Sequence, residues 1–219
     1  LHAGVVEIFV GKNAKMRYST IQNWSKDVYN LVTKRSVVDE GGHMEWIDGN
    51  IGSCVTMKYP SSILKGDGGS AKSMSIAYAK DMQVLDAGAK MIHLGKNTKS
   101  TIISKSISES GGNASYRGLV KISKDAINSQ AFVKCDTLIL DEMSKSDTYP
   151  KNIVGNNSSY IEHEATISKV SEEKLNYLMS KGLSEEVSKE LIVTGFISDF
   201  KNELPMEYAV EINRLLKES

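Results

Sequence analysis

The chain has 219 residues, 40% of them hydrophobic, and its 27 Lys and Arg balance 27 Asp and Glu. That supplies one sizeable core, or one core plus a small subdomain. Zero net charge leaves no basis for broad electrostatic binding to nucleic acid or an anionic membrane, and no run approaches the ~18 apolar residues of a membrane span. Leu1 opens a strand-like run with no initiator Met and no leader pattern, so the chain is expected to be a fragment that begins inside a domain. Two cysteines, Cys54 and Cys135, do not make a secreted disulfide framework and point to a reducing compartment. Each is, by default, a buried inert thiol.

Up to about residue 168 the chain is rich in Gly, Ser, Thr, Val, Ile and Asn. Short alternating runs predict strands over 5–10, 16–21, 28–32, 43–47, 54–57, 73–79, 90–94, 101–104, 116–122, 131–135 and 162–167. Turn residues separate them: Gly41-Gly42, Asp48-Gly49-Asn50, Gly66-Asp67-Gly68-Gly69, Gly95-Lys96-Asn97 and Gly111-Gly112-Asn113. Many short strands with polar turns fit a sandwich, a barrel or a β-solenoid. The small residues Ala77, Ala79, Ala87, Gly88, Ala89 and Ser104 suit the stacked rungs of a solenoid, although no crisp repeat is visible. The polar segment 141–159, with Pro150 and Asn156-Asn157, reads as a loop.

After Val170 the period becomes helical. Ser171 caps a helix carrying Leu175, Leu178 and Met179, and Gly182 ends it. Ser184 caps a second, with Glu185 and Glu186 in its first turn and a face made by Val187 with Leu191 and Ile192 with Phe196. Pro205 opens a third, where Tyr208, Ile212, Leu215 and Leu216 form one stripe. Three such helices need the β body, a partner, or both to cover their apolar faces. The expected division is a β core over 1–168 and a helical domain over 169–219.

Cys135 ends a strand-like run, and Glu162-His163-Glu164 follows in a later one. A soft thiol, an imidazole and two carboxylates suit iron or zinc. Alternation places Ala131, Val133 and Cys135 on one face; an apolar inward face is the plain reading, and a thiolate that ligates iron or accepts sulfur is the other. The same alternation sets both carboxylates opposite His163. Spacing alone therefore favours a solvated Glu pair and a hydrogen-bonded His over a single-strand metal site. CxxC, HExxH and Gly-x-Ser-x-Gly patterns are absent. His43 and His93 read as structural or surface residues. Gly95-Lys96-Asn97-Thr98 misses the phosphate-loop spacing, and Lys90, Lys96, Lys99 and Lys105 read as a solvated basic edge. Gln22-Asn23-Trp24 is a polar–aromatic string at a strand end.

Several strings resemble SufB, the scaffold subunit of the SUF iron–sulfur assembly system, within the SufB/SufD family. They are 90–105 (Lys-Met-Ile-His-Leu-Gly-Lys-Asn-Thr-Lys-Ser-Thr-Ile-Ile-Ser-Lys), 115–121 (Ser-Tyr-Arg-Gly-Leu-Val-Lys), 146–150 (Ser-Asp-Thr-Tyr-Pro), 161–166 (Ile-Glu-His-Glu-Ala-Thr), 203–210 (Glu-Leu-Pro-Met-Glu-Tyr-Ala-Val) and 18–24 (Tyr-Ser-Thr-Ile-Gln-Asn-Trp). The resemblance spans essentially the whole chain. It implies a mainly β fold, a right-handed parallel β-helix followed by a small C-terminal helical domain. It implies that SufC, an ABC-type ATPase, docks on the helices, so that ATP enters only through this partner. It implies pairing of the β-helix with SufD or a second SufB. Carried over by position, Cys135 matches the cluster-site cysteine, Glu164 and His163 match positions near the same interface, and Glu162 is a weaker match. These residues would hold a transient iron–sulfur cluster. Gln22, Trp24 and Lys34 match a sulfur-transfer path. The family's sulfur-accepting cysteine lies upstream of Leu1, and Cys54 matches no functional position. Segment 151–158 is longer or more polar than the family pattern. The resemblance implies a bacterial cytoplasm or a plastid stroma. A non-ligating interaction module, as in SufD, is the alternative; a β-solenoid carbohydrate-active enzyme is disfavoured by the few aromatics.

Overall fold

The computed structural model describes the backbone of residues 1–218 and the side chains of residues 1–215. Leu216, expected on the last apolar stripe, lies outside the described side chains. Among the described residues the strands are β1 (His2–Val10), β2 (Lys15–Trp24), β3 (Tyr29–Val38), β4 (His43–Gly52), β5 (Val55–Lys58), β6 (Ser61–Leu64), β7 (Ser70–Ala79), β8 (Val84–His93), β9 (Lys99–Ser108), β10 (Asn113–Ile122), β11 (Gln130–Ile139), β12 (Thr148–Val154) and β13 (Tyr160–Lys169). Four helices follow: α1 (Glu172–Ser180), α2 (Glu185–Phe196), α3 (Ser198–Asn202) and α4 (Met206–Glu218).

Successive strands alternate between two sheets, except that β5 and β6 share the first. The first runs β1-β3-β5-β8-β10-β12, with β6 beside β3 and β8; the second runs β13-β11-β9-β7-β4-β2. All pairings are parallel and in register. This is a parallel β-solenoid of about six turns, followed by a small C-terminal helical region. Rung length explains the missing repeat. Stacked partners are 26 residues apart at Tyr29 and Val55 but 32 apart at Tyr116 and Thr148. The period is most legible at one corner, although Ser53, Met82 and Gly111 repeat a positive φ at the other. Asn13, Gly41, Gly68, Asn97 and Asn128 each take positive φ at the first, once per turn, and Gly and Asn are the residues that adopt this conformation at least cost.

Inward positions fill the tube with Val38, Met44, Trp46, Leu64, Met91, Ile102, Tyr116, Val120, Val133 and Cys135. The second sheet is covered on its outer face as well: Ile47, Met74, Ile76, Ile107 and Leu138 pack against Val193, Ile197, Phe200, Ile212 and Leu215 of the helices. Polar clamps hold this layer. Glu203 accepts from Lys72 Nζ at 2.6 Å and from Arg17 Nη2 at 3.1 Å, and Lys105 Nζ donates to the Phe196 carbonyl at 2.6 Å.

Several expectations are corrected. The segment 141–159 is not all loop: it contains β12, an edge strand, where Pro150 removes no ladder bond that a neighbour needs. Asp48-Gly49-Asn50 is no turn but lies within β4. A Cβ on Gly49 would meet Ile21 Cδ1 at 2.6 Å, so the glycine serves close packing beneath α4. Lys105 is buried rather than solvated, whereas Lys90, Lys96 and Lys99 are exposed. Nothing in the sequence pattern marks α3, or β6, which Pro60 separates from β5. Ser171 and Ser184 do cap α1 and α2. The Val187 and Leu191 face of α2, however, is exposed.

Candidate functional site

Two polar clusters interrupt the apolar interior. The first lies in the early rungs. Asp48 Oδ1 accepts from Lys34 Nζ at 2.6 Å, from Lys58 Nζ at 3.0 Å and from the Thr20 hydroxyl. Gln22 Oε1 accepts from Asn30 Nδ2 at 3.0 Å and from Lys58 Nζ at 3.1 Å. Asp48, Lys34 and Lys58 are no more than 2% exposed. Burial alone would raise the Asp48 carboxyl, but the two ammonium groups outweigh it and hold it below the usual range. Burial pushes Lys58 down to about 8, although Asp48 opposes the shift. Of the expected sulfur-path residues, Gln22 and Lys34 therefore share one network. Trp24 lies at the end of β2, partly exposed, stacked on His2 at 4.4 Å between centroids.

The second cluster lies in the last rungs. Cys135 on β11 points into the tube and is 3% exposed. In register it stacks on Ser104 of β9 and Ala165 of β13. Val133, two residues before it, stacks on His163, so His163 shares the inward face. Strand spacing of ~4.8 Å and a rise of ~3.3 Å per residue separate the Cys135 and His163 backbones by roughly 8 Å. His163 Nδ1 meets Asn152 Nδ2 at 3.4 Å, while its Nε2 is buried without a partner. Tyr116 on β10 faces the Cys135 thiol. Burial pushes that thiol up to about 12, against a smaller opposing effect of the Tyr116 hydroxyl.

Alternation divides the expected ligand set. Glu162 and Glu164 point outward, and Glu164 lies 4.0 Å from Lys134, which is on the same outer face. Among the described residues no group of three or more His, Cys, Asp or Glu side chains is gathered as a metal site. One structural fact lessens the division. β12 and β13 end their sheets, so Cys135 lies one rung below a free edge, and an edge offers both faces of its strand to a molecule approaching end-on.

Sequence reasoning missed Asp48, Lys58, Asn30 and Tyr116. A signal existed for the first cluster. In Asn30-x-Val32-x-Lys34-x-Ser36-x-Val38, parity puts a lysine on the apolar face, and a buried lysine requires an anion nearby.

Fold and site together define a parallel β-solenoid with two polar clusters in an apolar lumen and a thiol beneath its terminal rung. Residues 1–196 match the family described as SUF system FeS cluster assembly, SufBD core domain. The chain belongs to this family, whose role lies in iron–sulfur cluster assembly. It is 59% identical over 217 residues to an "Iron-sulfur cluster assembly SufBD family protein" of Staphylococcus epidermidis, covering 99% of this chain and 47% of that protein. Proteins of the same description from Staphylococcus saprophyticus and Staphylococcus aureus show the same identity and coverage. The chain thus spans about half the length of the curated relatives it matches. No helix among the described residues is long and apolar enough to cross a membrane.

Proposed function

We propose that the chain is the SufB-type scaffold of its assembly complex, and that Cys135 anchors a nascent iron–sulfur cluster as cargo at the terminal rung. The observation that carries this reading is a thiol one rung below a free edge, with an unpartnered imidazole nitrogen of His163 on the same inward face. Thiolate and imidazole suit iron in sulfide surroundings. Glu164, and less directly Glu162, serve the cluster from the outer face of the same edge. A second subunit, SufD or another SufB, pairs with the edges of β12 and β13 and supplies the remaining ligands.

Gln22, Trp24 and Lys34 guide sulfur along the lumen toward Cys135. The segment from residue 169 onward forms the docking domain for a SufC-type ATPase. Its support is that α1 buries none of its side chains and, with Ile192, forms an apolar groove of about 540 Å³ at Tyr177 and Leu178. ATP acts only through that partner, whose movement opens the terminal rung and frees the buried thiol to ionise. The setting is a bacterial cytoplasm or plastid stroma.

One observation favours a second reading, a non-ligating dimerisation module of SufD type: Cys135 is buried and protonated, and the carboxylates face away from it. Anaerobic reconstitution with iron and sulfide separates the two. The scaffold reading expects a visible cluster spectrum in the native protein that is lost in Cys135→Ala. Equal spectra in both would give the module reading the lead.

A further inference from the structure

Tyr116 is 2% exposed, deep in the tube on β10. Its hydroxyl is buried and makes no well-formed hydrogen bond; the ring packs in the same buried cluster as Cys135, whose thiol interacts electrostatically with the hydroxyl. The ring lies over Gly118, where a Cβ would meet the hydroxyl oxygen at 2.3 Å and the ring at 2.7 Å. A bare backbone position thus seats the ring and leaves its hydroxyl beside the sulfur.

A buried hydroxyl without a partner is unfavourable, and phenylalanine would fill the same space without that penalty. The arrangement makes physical sense if the hydroxyl's acceptor becomes strong only in another state of the site. A neutral thiol is a weak acceptor, whereas an anionic sulfur is a strong one. Val120, Val133 and Ala131 line the same stretch of lumen and offer no donor; the Ser104 hydroxyl, which already accepts from Ser75, and His163 Nε2 stand on the adjacent strands.

We propose that Tyr116 is a positioning residue for Cys135, its hydroxyl donating a hydrogen bond to the Cys135 sulfur when that sulfur is bound to iron. This rests on the scaffold reading above. The hydrogen bond orients the sulfur from across the lumen, opposite the rung where Ser104 stacks on Cys135. It also withdraws charge from the cluster, because hydrogen bonds to sulfur are among the factors that set iron–sulfur potentials.

The test uses the complete protein with Cys54→Ser, which leaves Cys135 as the one thiol within residues 1–219, reconstituted anaerobically with iron and sulfide. Tyr116→Phe should unfold at the same or a higher temperature and still acquire a Cys135-dependent cluster. The potential of that cluster should fall by about 60 mV, a tenfold change in a one-electron equilibrium. Gly118→Ala, which keeps the hydroxyl but displaces the ring, should move the potential the same way. A purely structural tyrosine would change the unfolding temperature and leave the potential alone. Unchanged potentials in both variants, with the cluster still lost in Cys135→Ala, overturn the role of Tyr116 and leave the scaffold reading intact. A cluster that persists in Cys135→Ala overturns both.

Discussion

The two polar clusters of the lumen face the same physical problem and meet it in opposite ways. In the early rungs Asp48, Lys34 and Lys58 are charged, fully buried and bonded to one another and to Thr20 and Gln22. In the last rungs burial keeps the Cys135 thiol and the Tyr116 hydroxyl protonated, and Tyr116 Oη and His163 Nε2 have no partner. Both lie near an end of the solenoid, since Thr20 and Gln22 are on β2 and His163 is on β13, the two end strands of the second sheet; the first cluster is held by its own members, and the second is not. Buried polar groups are normally satisfied. The cluster whose members do not bond one another is therefore the better candidate for a guest, and the mutually bonded one, in which Asp48 Oδ2 still lacks a partner, contributes first to the specificity of the fold.

Four perturbations sharpen that contrast. The largest effect is expected at Asp48. Asp48→Ala leaves two buried ammonium groups without their anion and should cost roughly 3–5 kcal/mol in urea unfolding. A loss under about 1 kcal/mol would mean that the early cluster is also loosely held. Second, the thiol of Cys135, pushed up to about 12, should alkylate at pH 8 roughly a thousandfold more slowly than an ordinary thiol of pKa ~8.5. Peptide mass spectrometry of iodoacetamide-treated protein reads this directly. Rapid labelling without a partner would show that the terminal rung opens by itself.

Third, His93 provides a control: a buried imidazole that is satisfied and neutral, with Nδ1 on Thr98 and Nε2 on Ser100, both at 2.8 Å. Burial pushes it down to about 4 from an ordinary value of 6.5. The unfolded chain therefore binds this proton first as pH falls. Stability contributed by neutral His93 is complete above pH 6.5 and declines between 6.5 and about 4, by up to about 3 kcal/mol. His93→Gln should flatten that acid limb in thermal melts between pH 4 and 7. The smallest effect belongs to Glu164→Gln. Its 4.0 Å pair with Lys134 is exposed and should contribute below ~0.5 kcal/mol. Any large change in cluster formation in that variant would then be functional rather than structural.

Much of the architecture was legible in the residues. Alternation located most of the strands, Ser171 and Ser184 marked two helix starts, and Gly95-Lys96-Asn97 and Gly41-Gly42 marked real corners. The misreadings have a common origin. Asp48-Gly49-Asn50 looks like a turn because its residues favour turns locally. In the fold, Asp48 is drawn into β4 by two lysines from neighbouring rungs, and Gly49 by the side chains that pack on it. Segment 141–159 looks like a loop because β12 is an edge strand and buries little. Lys105 looks solvated because nothing near it in sequence announces the Phe196 carbonyl.

Read alone, the residues specify the strand pattern, the change to helical period after Val170 and the resemblance to an iron–sulfur assembly family. They also specify which side chains carry the chemistry. Which of these side chains meet is settled in three dimensions. Alternation sends Cys135 and His163 inward and Glu162 and Glu164 outward, and the facing of the two sheets brings Tyr116 toward the thiol and Lys58 to Asp48 across the lumen. The physical reason is that side-chain direction in a strand is a local property of period two. Proximity between rungs instead depends on turn lengths that range here from 26 to 32 residues, and no local rule sets them.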